Sequence, residues 1–99
     1  MKLQPHETEL IGSWISENNE MHCDATCQRI EQLVAGNHLK QIAVSKQWGS
    51  WETLFQDPGD GRYWERTYPQ GELQGGGPPR LLCLSVSEAK RKYGDVVVA

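Results

Sequence analysis

Between two runs rich in strand-forming side chains, Trp51-Glu52-Thr53-Leu54-Phe55-Gln56 and Arg62-Tyr63-Trp64-Glu65-Arg66-Thr67-Tyr68, the chain places Asp57-Pro58-Gly59-Asp60-Gly61. Proline presets one backbone angle, the glycines accept positive φ, and the aspartates can bond back to nearby amides. These features predict a tight antiparallel hairpin. The turn residues therefore have a conformational purpose before any chemical one. The rest of the 99 residues must be built around this hairpin, because a chain of this length holds a single hydrophobic core and forms one domain over residues 1–99.

The flanking segments supply the remaining elements. Leu10 to Ile15 is a short apolar run ended by the polar turn Glu17-Asn18-Asn19-Glu20. Gly12 and the two isoleucines disfavour a helix there and favour a first strand. Asp24 can cap a helix whose apolar positions Cys27, Ile30, Leu33 and Val34 recur at three and four, with Gly36 or Asn37 as the left-handed stop. Leu39 to Ser45 reads as another strand, as does Leu81 to Leu84 after the Gly75-Gly76-Gly77-Pro78-Pro79 crossing. Ser85-Val86-Ser87-Glu88 has the spacing of a capping box and opens a helix through Tyr93 to Gly94, and Val96 to Val98 reads as an edge strand or a loose tail. Strands grouped in sequence define an α+β fold: a mainly antiparallel sheet of about five to six strands with two helices, one after the first strand and one near the C-terminus. Such a sheet can hide one face under its helices and offer the other to a partner.

Alternation along the second hairpin strand sets Arg62, Trp64, Arg66 and Tyr68 on one face and Tyr63, Glu65 and Thr67 on the other. Neither side is plainly apolar, so one aromatic face with polar edges is expected to stay exposed. Tryptophan, tyrosine and arginine supply most of the binding energy at protein interfaces, while acidic neighbours steer a basic partner. The competing reading is that the aromatics fill a core short of aliphatics and the arginines pair with Glu52 or Glu65.

Charge narrows the partner. The formal net charge is −3, with basic residues scattered and the aromatic segment acidic, so phosphate-backbone binding is not expected. No apolar run is long enough to span a bilayer, and the start, MKLQPHETEL, lacks the apolar stretch of a signal peptide. A cytoplasmic protein without membrane association is expected, with its three cysteines reduced.

Candidate chemistry is sparse. His22, Cys23 and Cys27 could supply three zinc ligands, but no fourth accompanies them, and a Cys27 on the buried helix stripe would not face the same metal as Cys23. Structural cysteines and no metal are expected. Aligning Gly61 with the invariant glycine of a calcium loop leaves only Asp60 in a ligand position. Gly75 to Gly77 lacks the lysine and hydroxyl residue of a phosphate loop, and no nucleophile motif flanks His6, His22 or His38. Asp57, Asp60 and Glu65 could form a general acid and base pair, but turn aspartates and strand glutamates are common without one. No cofactor is implied.

The segments Leu10-Ile11-Gly12-x-Trp14, Arg29-Ile30-x-x-Leu33, Trp51-x-x-Leu54-Phe55-x-Asp57-Pro58-x-Asp60-Gly61-Arg62-Tyr63-Trp64-Glu65-x-x-Tyr68-Pro69, Gly75-Gly76-Gly77-Pro78-Pro79 and Lys92-Tyr93 together resemble the bacterial immunity protein 27 family, over roughly residues 7 to 94. The resemblance implies a cytosolic antidote, made beside a secreted polymorphic toxin, that binds the toxin's C-terminal domain and is not an enzyme. A toxin directed at nucleic acids or nucleotides, such as a nuclease, has the basic cleft that an acidic inhibitor can occlude. The residues expected to meet the toxin are Glu52, Asp57, Asp60, Glu65 and Glu72 as carboxylates, with Arg62, Trp64, Arg66 and Tyr68 as anchors. The free protein is expected to be a monomer. The alternative is an enzymatic antidote, a hydrolase that reverses the toxin's modification with the same carboxylates.

Overall fold

The computed structural model describes residues 3–69 and 77–97. Among them the chain forms seven strands and two helices: β1 (Glu9–Ile11), β2 (Trp14–Glu17), β3 (Glu20–Cys23), α1 (Ala25–Ala35), β4 (Lys40–Ser45), β5 (Gly49–Gln56), β6 (Tyr63–Thr67), β7 (Arg80–Leu84) and α2 (Val86–Tyr93). The fold is α+β. Five strands make an antiparallel sheet in the order β1-β7-β6-β5-β4, and β2 and β3 make a separate two-stranded ribbon.

The expected first strand is two strands. At Gly12 the chain leaves β1, its N–H donating to the Pro79 carbonyl (2.9 Å), and the following residues turn away into β2. The polar turn then returns the chain as β3, with Asn18 and Asn19 both at positive φ (52° and 65°). That is the backbone of a two-residue hairpin turn matched to strand twist, which asparagine tolerates. The first helix therefore follows the third strand.

Both helices start where their caps predict. The Asp24 carboxylate accepts from the Cys27 N–H at 2.7 Å, and α1 buries Cys27, Ile30 and Leu33. Asn37, at φ 59°, supplies the left-handed stop. Ser85 and Glu88 form the complete capping box of α2.

The helices lie on opposite faces of the sheet. Ile30 and Leu33 of α1 pack with Leu10, Phe55, Trp64 and Leu81, while Ala89 and Tyr93 of α2 pack with Leu54, Tyr63 and Leu84. These two strand sets alternate along β5, β6 and β7, as side chains on opposite faces must. Strand β6 is central and covered on both sides: Tyr63, Trp64 and Glu65 are all buried. This overturns the expectation that one aromatic face of this strand stays open.

The tail also differs from both forms expected. Gly94–Val96 is a single 3₁₀ turn, and Val97 is buried in the α2 cluster. Residue 98 lies outside the described residues, as do Gly75 and Gly76 of the glycine-rich crossing, whose Gly77, Pro78 and Pro79 are buried. No described helix is long and apolar enough to cross a membrane.

Candidate functional site: the β5–β6 hairpin and its aromatic cleft

The turn joining β5 to β6 forms as its composition dictates. The Asp57 N–H donates to the Arg62 carbonyl (2.9 Å), and the Asp57 side chain accepts from the Gly59 N–H (2.8 Å). Gly61 takes φ 79°. The Asp60 carboxylate accepts from the Arg62 N–H (3.0 Å) and from Arg62 Nε (2.6 Å). Burial opposes charge on Asp60, but these bonds outweigh it and hold the carboxyl below its ordinary pKa. The Arg62 guanidinium also donates to the Glu7 and Gln4 carbonyls (2.5 and 2.9 Å) and lies 4.9 Å from the Trp64 ring centroid. Arg62 thus ties the N-terminal segment over the hairpin end. Glu7 in turn makes a two-pronged ion pair with Arg29 of α1 (2.6 and 2.7 Å).

Midway along the hairpin, the expected carboxylates are bound internally. Glu65 accepts from the Tyr93 hydroxyl (2.6 Å) and pairs with Lys92 Nζ (2.7 Å), which also donates to Glu52 (2.8 Å). Burial, reinforced by the adjacent Glu65 carboxylate, pushes the Tyr93 phenol well above its usual range, so its proton stays in the bond. Burial works against the charge on Lys92, yet the bonds to Glu52 and Glu65 prevail and raise its pKa. The acidic groups therefore pair with a lysine of α2 and not with the hairpin arginines.

The far end of the hairpin is different. Trp51 and Tyr68 meet edge to face, with centroids 5.3 Å apart, and with Trp48, Pro69, Glu52, Thr67 and Arg80 they line an open cleft of about 530 Å³. Trp48 and Trp51 are 57% and 51% exposed. Trp48 is set by the β4–β5 turn, where the Ser45 hydroxyl accepts from the Gln47 and Trp48 N–H groups (3.2 and 3.1 Å). Arg66 lies over Phe55 (5.4 Å) and Tyr68 (5.6 Å), and its buried Nε has no hydrogen-bond partner among the described residues. Arg80 is neutralised by Glu9 (2.6 Å).

The expected contact residues thus do not form one surface. Asp57, Asp60 and Arg62 sit at the turn; Glu52, Arg66 and Tyr68 lie toward the cleft; Glu72 is outside the described residues. Trp64 has no exposed surface, and Glu65 is buried, so neither can touch a partner in this conformation. Trp48 and Trp51, which line the cleft, are not among the expected residues. Their signal in the sequence is two tryptophans spaced around Gly49 at a hairpin turn, where large rings have little to pack against.

The cysteines require a correction. Cys23 and Cys27 are joined in a disulfide, with Cα atoms 5.3 Å apart, while Cys83 is free. The reason is local: β3 ends just before the cap of α1, so the Cys23 side chain reaches the first helical turn. Donor atoms of Cys23, Cys27 and Glu31 lie within 4.8 Å of one another, but the two sulfurs are bonded together, and a disulfide sulfur is not the thiolate that binds metal.

Comparison with known proteins assigns the class. The chain falls among immunity proteins, which are the antidotes of toxin systems. The matching family is immunity protein 27, whose model covers residues 16–85, and the chain belongs to it. The match contains the ribbon almost entirely, α1, both hairpins and β7. No curated protein and no solved structure gives a significant match.

Proposed function

We propose that the protein binds the C-terminal toxin domain of a cognate secreted toxin and neutralises it in a stoichiometric, non-catalytic complex that covers the toxin's active site. The observation that carries this reading is the cleft, where Trp48 and Trp51 stand half exposed beside Tyr68 in a chain whose other large rings are largely buried. Aromatic side chains left in water at the mouth of a cleft are the residues that dominate binding energy when a partner covers them. Glu52, Arg66 and Tyr68 belong to this end of the hairpin, while Trp64 and Glu65 are buried on opposite faces of β6 and act on the contact only by holding the strand. The turn residues Asp57, Asp60 and Arg62 form the outer part of the proposed contact, and Glu72, outside the described residues, stays a proposed contact residue without an assigned place. A basic toxin cleft of the kind that handles nucleic acids or nucleotides suits a chain of net charge −3.

A non-catalytic mode is supported by the fate of the carboxylates. Asp57 and Asp60 are engaged in the turn, and Glu65 with Tyr93 and Lys92, so the carboxylates of the enzymatic alternative are tied up within the fold. The test is coexpression with the product of the adjacent upstream gene. Copurification is expected, with protection saturating at one antidote per toxin. Trp51→Ala and Tyr68→Ala in folded protein should each weaken binding by about 2 kcal/mol, roughly thirtyfold. Protection by substoichiometric amounts of a chain that never copurifies with toxin would overturn the reading.

A further inference from the structure

We propose that the β2–β3 ribbon is a second, independently acting contact arm, which docks against a basic surface of the toxin domain. It rests on toxin binding as proposed above but not on the cleft. No residue of the ribbon belongs to either hydrophobic cluster, so the fold does not need it for its core. Nevertheless, the ribbon exposes Ile15 and Met21 to about half of their area or more, at 46% and 59%. Its closing pair sets Glu17 directly opposite Glu20.

Like charges directly opposite one another across an antiparallel pair are destabilising, and neutral or oppositely charged residues would serve a free ribbon better. The nearest polar neighbour of Glu20 is His22, whose Nε2 lies 3.5 Å from the Glu20 carboxylate. The Glu17 side chain makes no ion pair or hydrogen bond among the described residues. The ribbon carries no lysine or arginine. By alternation Ile15, Glu17, Glu20 and His22 share one face, so an exposed aliphatic side chain stands on the same face as two glutamates. The complementary occupant is a lysine or arginine cluster with an apolar neighbour, presented by the toxin domain. The base of the arm is fixed by the Asp24 N–H bonded to the Ser13 carbonyl (2.9 Å), Gln28 Nε2 bonded to the Cys23 carbonyl (3.0 Å), and the Cys23–Cys27 disulfide. A ribbon held this way loses little freedom on docking.

The experiment compares wild type, the double reversal Glu17→Lys/Glu20→Lys, and Trp51→Ala against purified toxin domain at low and high salt, with circular dichroism melts of each. The reversal should leave the melt unchanged and slow association about tenfold at low salt, and the difference should shrink at high salt. Glu17→Gln/Glu20→Gln should show a smaller loss of the same kind. If the reversal binds as fast and as tightly as wild type while Trp51→Ala does not, the arm is refuted and the cleft stands. Should wild type itself fail to bind, toxin binding falls and the arm with it. A wild-type dimer that the reversal dissociates would make the ribbon a self-association surface and overturn the proposal.

Discussion

The Glu65 carboxylate is buried in the central strand, and what makes that tolerable is a lysine and a tyrosine from α2. Removing one member leaves the others buried without a partner, which is costlier than replacing the group as a unit. Glu65→Ala should therefore lose about 3 kcal/mol of stability in urea unfolding, and Glu65→Gln, whose amide oxygen still accepts, clearly less. At Glu7 the outcome depends on pH. The hydrogen bonds from Arg29 hold its carboxyl at about 2 against an ordinary 4.5. A depressed carboxylate contributes stability that is complete above the ordinary value and is lost as pH falls through the folded one. Acid titration of wild type should show this loss between about pH 4.5 and 2, and Glu7→Gln should be less stable at neutral pH but lack that part of the acid limb. Neither role was visible in the sequence. Glu65 reads as one more strand glutamate and Glu7 carries no signal of its own, because their partners arrive from distant segments.

Local chemistry was the legible part of the fold. Asp24, Ser85 with Glu88, Asn37 and the Asp57–Gly61 turn each act through residues two to four positions away, so spacing alone is sufficient to place them. Strand order is not local. Nothing within β6 announces that β7 will pair on its far side or that α1 and α2 will take opposite faces, and so its mixed alternation read as half exposed. The break between β1 and β2 was likewise hidden, although Gly12 marks it. A Cβ at Gly12 would stand 2.7 Å from the Pro79 carbonyl oxygen and 3.1 Å from Cys27 Cβ. Backbone and disulfide-linked helix cannot easily retreat, so Gly12→Ala should cost about 1–3 kcal/mol and lower the melting temperature.

Charge balance and turn chemistry favour the expectation of a binding protein over that of an enzyme, but they do not say where a partner would sit. The cleft joins the β4–β5 turn to the ends of β5 and β6, segments whose meeting is set by the completed sheet. The expected contact set, drawn along one strand, consequently mixed turn, core and cleft residues. Of the four tryptophans, Trp64 is sealed beneath α1 and Trp14 is partly buried in the ribbon, while Trp48 and Trp51 face water. This makes the unlabelled protein its own optical reporter. Iodide should quench only part of its emission, a partner seated on the cleft should shift that quenchable part to shorter wavelength and shield it, and unfolding should shift the emission to longer wavelength. Docking and denaturation would then move the same signal in opposite directions.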